Sequence, residues 1–204
     1  ISPNSKNALK ISVGLDQDYW LDYLKDFLYR GGIDFSEYKD KTCWVLSLIN
    51  GSRKAVEDFG LSPALSQDKA FPKLHETANE DFLKGIVDGM ISTDGNVHVN
   101  RLNPMVRVSS RSLELLLGLK RAMSMLGIHG RVYPAKKKNT FIEGREIKFN
   151  GQMYVLCVIG SDIKKVHDIG ISHAQRSEML KNLCINYQLS GGCRSAQIKS
   201  IVTA

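Results

Sequence analysis

Apolar and polar residues follow two different periodicities along the chain, and these predict a strand and then helices. Ile11 and Val13 alternate with the polar residues Lys10 and Ser12, as in a half-buried strand. Residues 18–29 and 112–126 carry apolar residues at helical spacing, and a glycine follows each of them as a stop signal. The chain is therefore predicted to mix strands with helices.

A repeat organises these elements. Residues 44–62 (WVLSLINGSRKAVEDFGLS) align without a gap to residues 154–172 (YVLCVIGSDIKKVHDIGIS), and eight of the nineteen positions are identical. Both segments open with an apolar run that is typical of a buried strand and continue into a short helix that ends near Gly60 or Gly170. Each copy is predicted as strand, helix, strand, helix. Two copies are too few for a solenoid, so the chain is predicted to be a duplicated α/β unit.

One further helix, predicted over residues 80–94, differs from the others in its glycines. It begins near Thr77, where the spacing to Glu80 matches a capping box. Gly85 and Gly89 lie on one face, so a second backbone can approach closely there. Asp94 ends the helix. A second copy of such a helix would bring another carboxylate near Asp94, and paired carboxylates bind a divalent cation.

Composition narrows the class of partner. The 204 residues carry a formal net charge of +7, which favours an anionic partner, most commonly nucleic acid. No apolar stretch approaches the roughly 20 residues of a membrane span, so no membrane partner is expected. The cysteines show no C-x-x-C spacing and are expected to be reduced, as in an intracellular protein of the nucleus or cytoplasm; they are Cys43, Cys157, Cys184 and Cys193.

Two short motifs resemble those of a known family. Residues 89–95 (GMISTDG) stand where the LAGLIDADG, or dodecapeptide, homing endonucleases have GLIDADG. Residues 69–72 (KAFP) are similar to the Lys-x-x-Pro stretch ahead of the second dodecapeptide in intein-encoded members of that family. Lys69 precedes Asp94 by 25 residues, which is the separation that the family pattern implies.

The resemblance implies an α+β fold of two LAGLIDADG halves of αββαββα type, related by a pseudo-two-fold axis, whose antiparallel sheets form a DNA-binding saddle. Residues 1–76 would be the first half, without its own dodecapeptide helix, and residues 77–187 the second half, with its dodecapeptide helix at 80–94. Residues 188–204 would be a linker and a return toward a splicing domain. In the repeat alignment, the residue that matches Asp94 falls ahead of Ile1. An upstream fragment is therefore expected to supply the second dodecapeptide helix.

The implied activity is site-specific cleavage of double-stranded DNA by metal-dependent hydrolysis. The family pattern assigns Mg²⁺, or another divalent cation, to Asp94 and the backbone carbonyl of Gly95, with Lys69 assisting water or phosphate. Arg176 is the candidate for a second catalytic basic residue, although an arginine does not readily exchange a proton with water. Asp88 is expected to be a helix-surface or interface carboxylate.

DNA contacts are expected from the insertion in the second copy. Residues 139–142 and 145–149 flank a Glu143-Gly144 turn and predict a hairpin with a basic face, and a two-stranded ribbon fits the major groove. Arg107 would either point to the DNA side of its strand or be a charge on its flank. The predicted DNA-binding residues are Lys136, Lys137, Lys138, Arg145, Lys148, Arg107 and Arg101.

Two other functions stay open at this point. The chain could be a catalytically degenerate module that binds DNA or RNA, like an intron maturase. It could also be a structural insert of a protein-splicing intein. Two features favour the degenerate module. One of the two expected acids is missing from the sequence, and Arg176 stands where a second catalytic base is expected.

Overall fold

The computed structural model describes residues 9–15, 17–49, 64–72, 78–99, 104–135, 140–142, 145–147 and 151–186. The chain divides into two compact units, Ile1–Leu74 and His75–Ala204. Each unit contains an antiparallel sheet with helix packed on it. The α+β class predicted from the sequence is therefore confirmed.

Unit 1 contains a three-stranded sheet and one described helix. Its elements are β1 (Leu9–Gly14), α1 (Asp18–Arg30), β2 (Phe35–Lys39) and β3 (Cys43–Leu48). Strand β3 is central and pairs antiparallel with β1 and β2. Leu21 and Leu28 lie two turns apart on α1, so both reach the sheet. The buried core of this unit is Val13, Leu21, Leu28, Leu46 and Leu48.

Strand β2 is absent from the predicted strand, helix, strand, helix order, and so is its counterpart β6 (Gly130–Ala135) in unit 2. Both are edge strands with mostly exposed or half-buried residues. An edge strand with little buried area carries a weak apolar alternation, so the sequence pattern misses it. The helix predicted to end near Gly60 lies outside the described residues.

Unit 2 contains the second sheet. After α2 (Glu80–Asp94) come β4 (Gly95–His98), β5 (Met105–Ser110) and α3 (Leu113–Met125). They are followed by β6, β7 (Thr140–Ile142), β8 (Arg145–Ile147), β9 (Met153–Ile159), α4 (Asp162–Ile169) and α5 (Ala174–Asn186). The four-stranded sheet has the antiparallel order β4-β5-β9-β6, and β7 pairs with β8 as a separate hairpin. The hairpin lies within the insertion, as the sequence predicts.

One face of the four-stranded sheet forms the core of unit 2. Val106 and Val108 alternate with polar residues along β5 and are 1% exposed. Helices α2 and α3 contact this sheet, while α4 and α5 pack on each other and reach β9 and β4. The opposite face of the sheet carries the alternate residues of each strand.

The helix that carries the glycines begins at a cap other than the predicted one. Asn79 is the N-cap, and its side-chain oxygen accepts a hydrogen bond from the Phe82 N–H at 2.8 Å. Thr77, the expected cap, lies outside the described residues. Asparagine satisfies one of the orphan N–H groups as well as threonine does, so Asn79 caps the helix that begins at Glu80. None of the helices in the described part of the chain is long and apolar enough to cross a bilayer.

Truncation of the core should separate buried from exposed positions on α3. Leu116 is fully buried, so Leu116→Ala should lower the free energy of unfolding by about 2–5 kcal/mol through lost transfer energy and a residual cavity. Leu113 is 39% exposed on the same helix, so Leu113→Ala should change it by less than about 0.5 kcal/mol. Urea unfolding followed by circular dichroism measures both. Equal losses in the two variants would contradict this assignment of the core.

Candidate functional site

Helix α2 has one anchored face and one bare face. Leu83, Val87 and Ile91 recur every four residues and are at most 3% exposed, so they fix the helix in the core. Gly85 and Gly89 are exposed, and a Cβ added at either would meet no described atom within 4 Å. The helix therefore presents two glycines at one-turn spacing on a face that has no side chains there to keep another backbone away.

The chain passes from α2 directly into β4 without a loop. Asp94 is the last helical residue and is exposed, whereas Gly95 opens the strand and is buried. The Gly95 N–H donates to the carbonyl of Ile91, and a Cβ at Gly95 would lie 2.3 Å from that carbonyl oxygen. Only glycine fits there without a shift of the backbone. The close turn leaves the Asp94 carboxylate at the corner between helix and sheet.

Arg176 lies against the end of this helix. It is half-buried on α5, and its guanidinium donates to the backbone carbonyl of Ser92 and, at 3.5 Å, to that of Thr93. Burial lowers the pKa of the Arg176 guanidinium, and the charge of the nearby Asp94 opposes that shift. The cation therefore sits where the carbonyl end of a helix carries partial negative charge.

Asp88 connects α2 to the segment between α4 and α5. Its Oδ1 accepts from the Ser92 hydroxyl and from the Ser172 N–H, both at 2.7 Å, and its Oδ2 accepts from the Ser172 hydroxyl. The Ser92 hydroxyl oxygen accepts from the His173 N–H at 3.2 Å. Burial lowers the pKa of His173, and the Arg176 charge lowers it further, so both favour the neutral imidazole. Asp88 is thus an interface carboxylate with both oxygens in use.

The open face of the sheet carries a row of residues in register. Asn96 pairs with Arg107, Arg107 with Cys157, and Cys157 with Arg131. Burial raises the pKa of the Cys157 thiol, and the hydrogen bond to Tyr133 and the Arg107 charge partly offset that rise. These side chains therefore lie together, with one arginine on each side of strand β9: Arg107 on β5 and Arg131 on β6.

The remaining predicted residues are distributed as follows. Lys69 is exposed in unit 1, just after a turn at residues 66–68. Arg145 lies on β8 of the hairpin. Several residues predicted to bind DNA lie outside the described part of the chain, namely Arg101, Lys136, Lys137, Lys138 and Lys148.

Sequence reasoning missed Arg131. It lies on an edge strand that the apolar pattern did not indicate, although it stands just ahead of the basic insertion. It also missed the partners of Asp88 and Arg176, because a contact between residues more than eighty positions apart leaves no local signal.

The chemistry of the site can be tested against a divalent cation. Among the described residues, no group of three or more His, Cys, Asp or Glu side chains is placed to hold a metal ion. Asp94 supplies an exposed carboxylate, and the backbone carbonyl of Gly95 can add an oxygen. Mg²⁺ commonly uses one or two carboxylates and completes its shell with water and phosphate oxygens. Asp94 and the Gly95 carbonyl are therefore oxygen donors of the kind that Mg²⁺ uses.

Comparison with known proteins identifies the domain that carries α2 and the four-stranded sheet. Residues 81–169, from the first turn of α2 to the end of α4, match the LAGLIDADG-like domain. Crystal structures of the homing endonuclease I-DmoI share the fold: its mesophilic variants give a TM-score of 0.55 at 14% identity, covering 81% of each chain. The structure titled as I-DmoI in complex with DNA and Ca gives 0.56 at 13% identity, covering 86% of this chain and 83% of that one.

A curated relative comes from an archaeon. The chain is 27% identical over 137 residues to the DNA-directed RNA polymerase subunit Rpo1C of Methanocaldococcus jannaschii. The match covers 65% of this chain but spans only 15% of the length of that protein. The domain match therefore assigns residues 81–169 to a LAGLIDADG-like domain, and the solved structures share its fold.

Two glycines on either side of the junction should respond in opposite directions to the same methyl group. Gly95→Ala should lower the free energy of unfolding by about 1–3 kcal/mol, because the new Cβ overlaps the Ile91 backbone. Gly89→Ala should raise it by about 0.5–1 kcal/mol, because alanine favours the helix and the added Cβ meets open space. Thermal and urea unfolding of both variants provides the measurement. A tolerated Gly95→Ala would contradict the direct turn from helix into strand.

Proposed function

We propose that this chain is part of an intein-type homing endonuclease, which cuts a specific site in double-stranded DNA by metal-dependent hydrolysis. One observation carries the proposal. The dodecapeptide helix ends in an exposed carboxylate, Asp94, and the next strand begins a sheet whose open face carries two arginines. A nuclease needs an acidic site for a cation beside a basic surface for the phosphates.

The residues of the cutting site divide the chemistry between them. Asp94 and the carbonyl of Gly95 would hold Mg²⁺, which when bound stabilises charge on the phosphate and favours ionisation of water. Lys69 would orient the attacking water or neutralise charge that develops at phosphorus. Lys69 has the separation from Asp94 that the family pattern implies, and this motif supports its role.

A second dodecapeptide helix would complete the site. The exposed Gly85 and Gly89 allow another helix to approach α2 more closely than leucine packing permits. Such a helix would bring its own terminal carboxylate next to Asp94, so that two acids share the cations.

The open sheet face is the proposed DNA surface. The row from Asn96 to Arg131 crosses four strands, or about 14 Å at 4.8 Å per strand. The major groove is about 12 Å wide, so the row has the width needed to contact base edges and the flanking phosphates. The basic hairpin of the insertion, with Arg145 and the predicted Lys136, Lys137, Lys138 and Lys148, would extend this surface.

The match to Rpo1C supports the intein setting. The aligned stretch is a small part of a much larger protein, as expected of a domain inserted into a host gene product. The residues beyond 187, which would lead back toward a splicing domain, lie outside the described part of the chain.

A second candidate, DNA or RNA binding without cleavage, is favoured by one contact. The guanidinium of Arg176 donates to two backbone carbonyls and is thereby held at the helix end. A group held in this way is a poor activator of water, so this half of the site would lack a second catalytic base. The following experiments separate the two functions.

Replacement of Asp94 should stop cutting but leave binding intact. A duplex selected from a randomised library by affinity for the protein, with the second dodecapeptide helix supplied, serves as substrate. Asp94→Asn removes a cation ligand worth several kcal/mol of charge stabilisation, so cleavage should fall by about 100-fold or more, while the Kd for DNA in Ca²⁺ stays within about threefold. Removal of divalent cations with EDTA should abolish parental cleavage. Binding without cutting by the parent protein would favour the second candidate.

Replacement of the arginines on the sheet should weaken DNA binding. Arg107→Ala and Arg131→Ala should each cost about 1–3 kcal/mol of binding free energy, and a contact to phosphate should also reduce the salt slope by about one. Arg121→Ala is the matched control, because Arg121 is exposed on α3 at the other side of the sheet. Fluorescence anisotropy over a salt series measures all three. A loss in the control equal to that in the sheet variants would contradict this choice of surface.

A further inference from the structure

Asp88 is the only acid of α2 for which the described contacts include three hydrogen bonds. Two come from Ser172, through its N–H and its hydroxyl, and one comes from Ser92. A carboxylate offers about four lone-pair sites, so most of its acceptor capacity is used inside the protein. Since Ser172 lies between α4 and α5, Asp88 joins the dodecapeptide helix to the start of α5.

The same junction brings Arg176 to the end of α2. The Arg176 N–H donates to the Nδ1 of His173 at 3.4 Å, and the His173 N–H donates to the Ser92 hydroxyl oxygen. From this first turn of α5, the guanidinium fork reaches the carbonyls of the two residues that precede Asp94. Together these hydrogen bonds form a network that joins the last turns of α2 to the start of α5.

We propose that Asp88 and Arg176 are positioning residues, which together form a latch that fixes the end of the dodecapeptide helix and so holds Asp94 in place. This inference rests on the proposed function for its catalytic consequence. Asp88 anchors the junction that begins α5, and Arg176 closes the carbonyl end of α2. The latch limits fraying of the last turn, where the hydrogen bond from the Gly95 N–H to the Ile91 carbonyl marks the transition into β4.

A latch differs from a catalytic arginine in its chemistry. A guanidinium that acts through its charge alone is replaced in part by lysine, whereas a planar fork on two carbonyls is not. Both carboxylate oxygens of Asp88 accept hydrogen bonds from protein groups, so its loss should act through the helix end. The effects of replacing Asp88 and Arg176 should also overlap, because the loss of either residue's hydrogen bonds frees the same last turn of α2.

The experiment follows hydrogen exchange at the amides of Asp94 and Gly95 by NMR, together with cleavage of the selected duplex. The variants are Asp88→Ala, Arg176→Met, Arg176→Lys and the double variant. Ser172→Ala removes one hydroxyl only and replaces Asp88→Ala should that variant fail to fold. The matched controls are Asp81→Asn on α2 and Lys181→Met on α5, both exposed.

Each single latch variant, including Arg176→Lys, should speed exchange at the two amides about tenfold and slow cleavage at saturating Mg²⁺ about tenfold, with Kd for DNA unchanged. Exchange in β5 and β9 and both controls should remain at parental values. The double variant should be within about threefold of the worse single variant.

Three results would overturn the latch: parental exchange rates in Asp88→Ala and Arg176→Met, full recovery of both readouts by Arg176→Lys, or multiplicative losses in the double variant. The two proposals can fail separately. If the parent protein cuts no duplex while the latch variants still speed exchange at Asp94 and Gly95, the nuclease function fails and the latch stands.

Discussion

The site depends on the absence of a side chain at Gly95. Its N–H bonds to the Ile91 carbonyl, and its Cα lies so close to that residue that a methyl group would overlap the helix backbone. This close turn lets a helix run into a strand without a loop. The last helical side chain, Asp94, is therefore fixed to two rigid elements rather than carried on a mobile segment, which is the arrangement that precise placement of a functional group requires.

The helix that presents Asp94 has to meet two opposed demands. Its apolar residues must hold it in unit 2, and, under the proposed function, its glycine face must stay accessible to a second helix. The four-residue spacing satisfies both, because Leu83, Val87 and Ile91 repeat on one side while Gly85 and Gly89 repeat on another. The glycines lower the intrinsic stability of the helix. Burial of the opposite side and the polar contacts of Asp88 offset that loss.

The sequence predicts the parts of this protein that depend on local pattern. The amphipathic helices, the central strands β3 and β9, and the acid-glycine end of α2 each leave a periodic or positional signal in a short window. Edge strands β2 and β6 do not, since few of their residues are buried. The same limit hides Arg131 on β6. The hydrogen-bond network of Asp88, Ser172 and Arg176 cannot be predicted for another reason. It joins residues that are distant in sequence, and no local pattern indicates which residue a serine or an aspartate will bind.

Charge ties the two sides of the site together. The chain is basic overall. Under the proposed function, its arginines on the sheet face would attract phosphate, while the carboxylate that binds a cation would have to keep its negative charge close to them. Arg176 adds a positive charge close to Asp94 that is bound within the protein. Its half-buried cation faces the carbonyl end of α2 and compensates the helix dipole, and the charge of the nearby Asp94 opposes the lowering of the Arg176 pKa by burial. Because the guanidinium is held by backbone carbonyls, its field is fixed in direction. The positive charge is thus directed at the backbone of the helix end, next to the acid that would bind a metal ion under the proposed function.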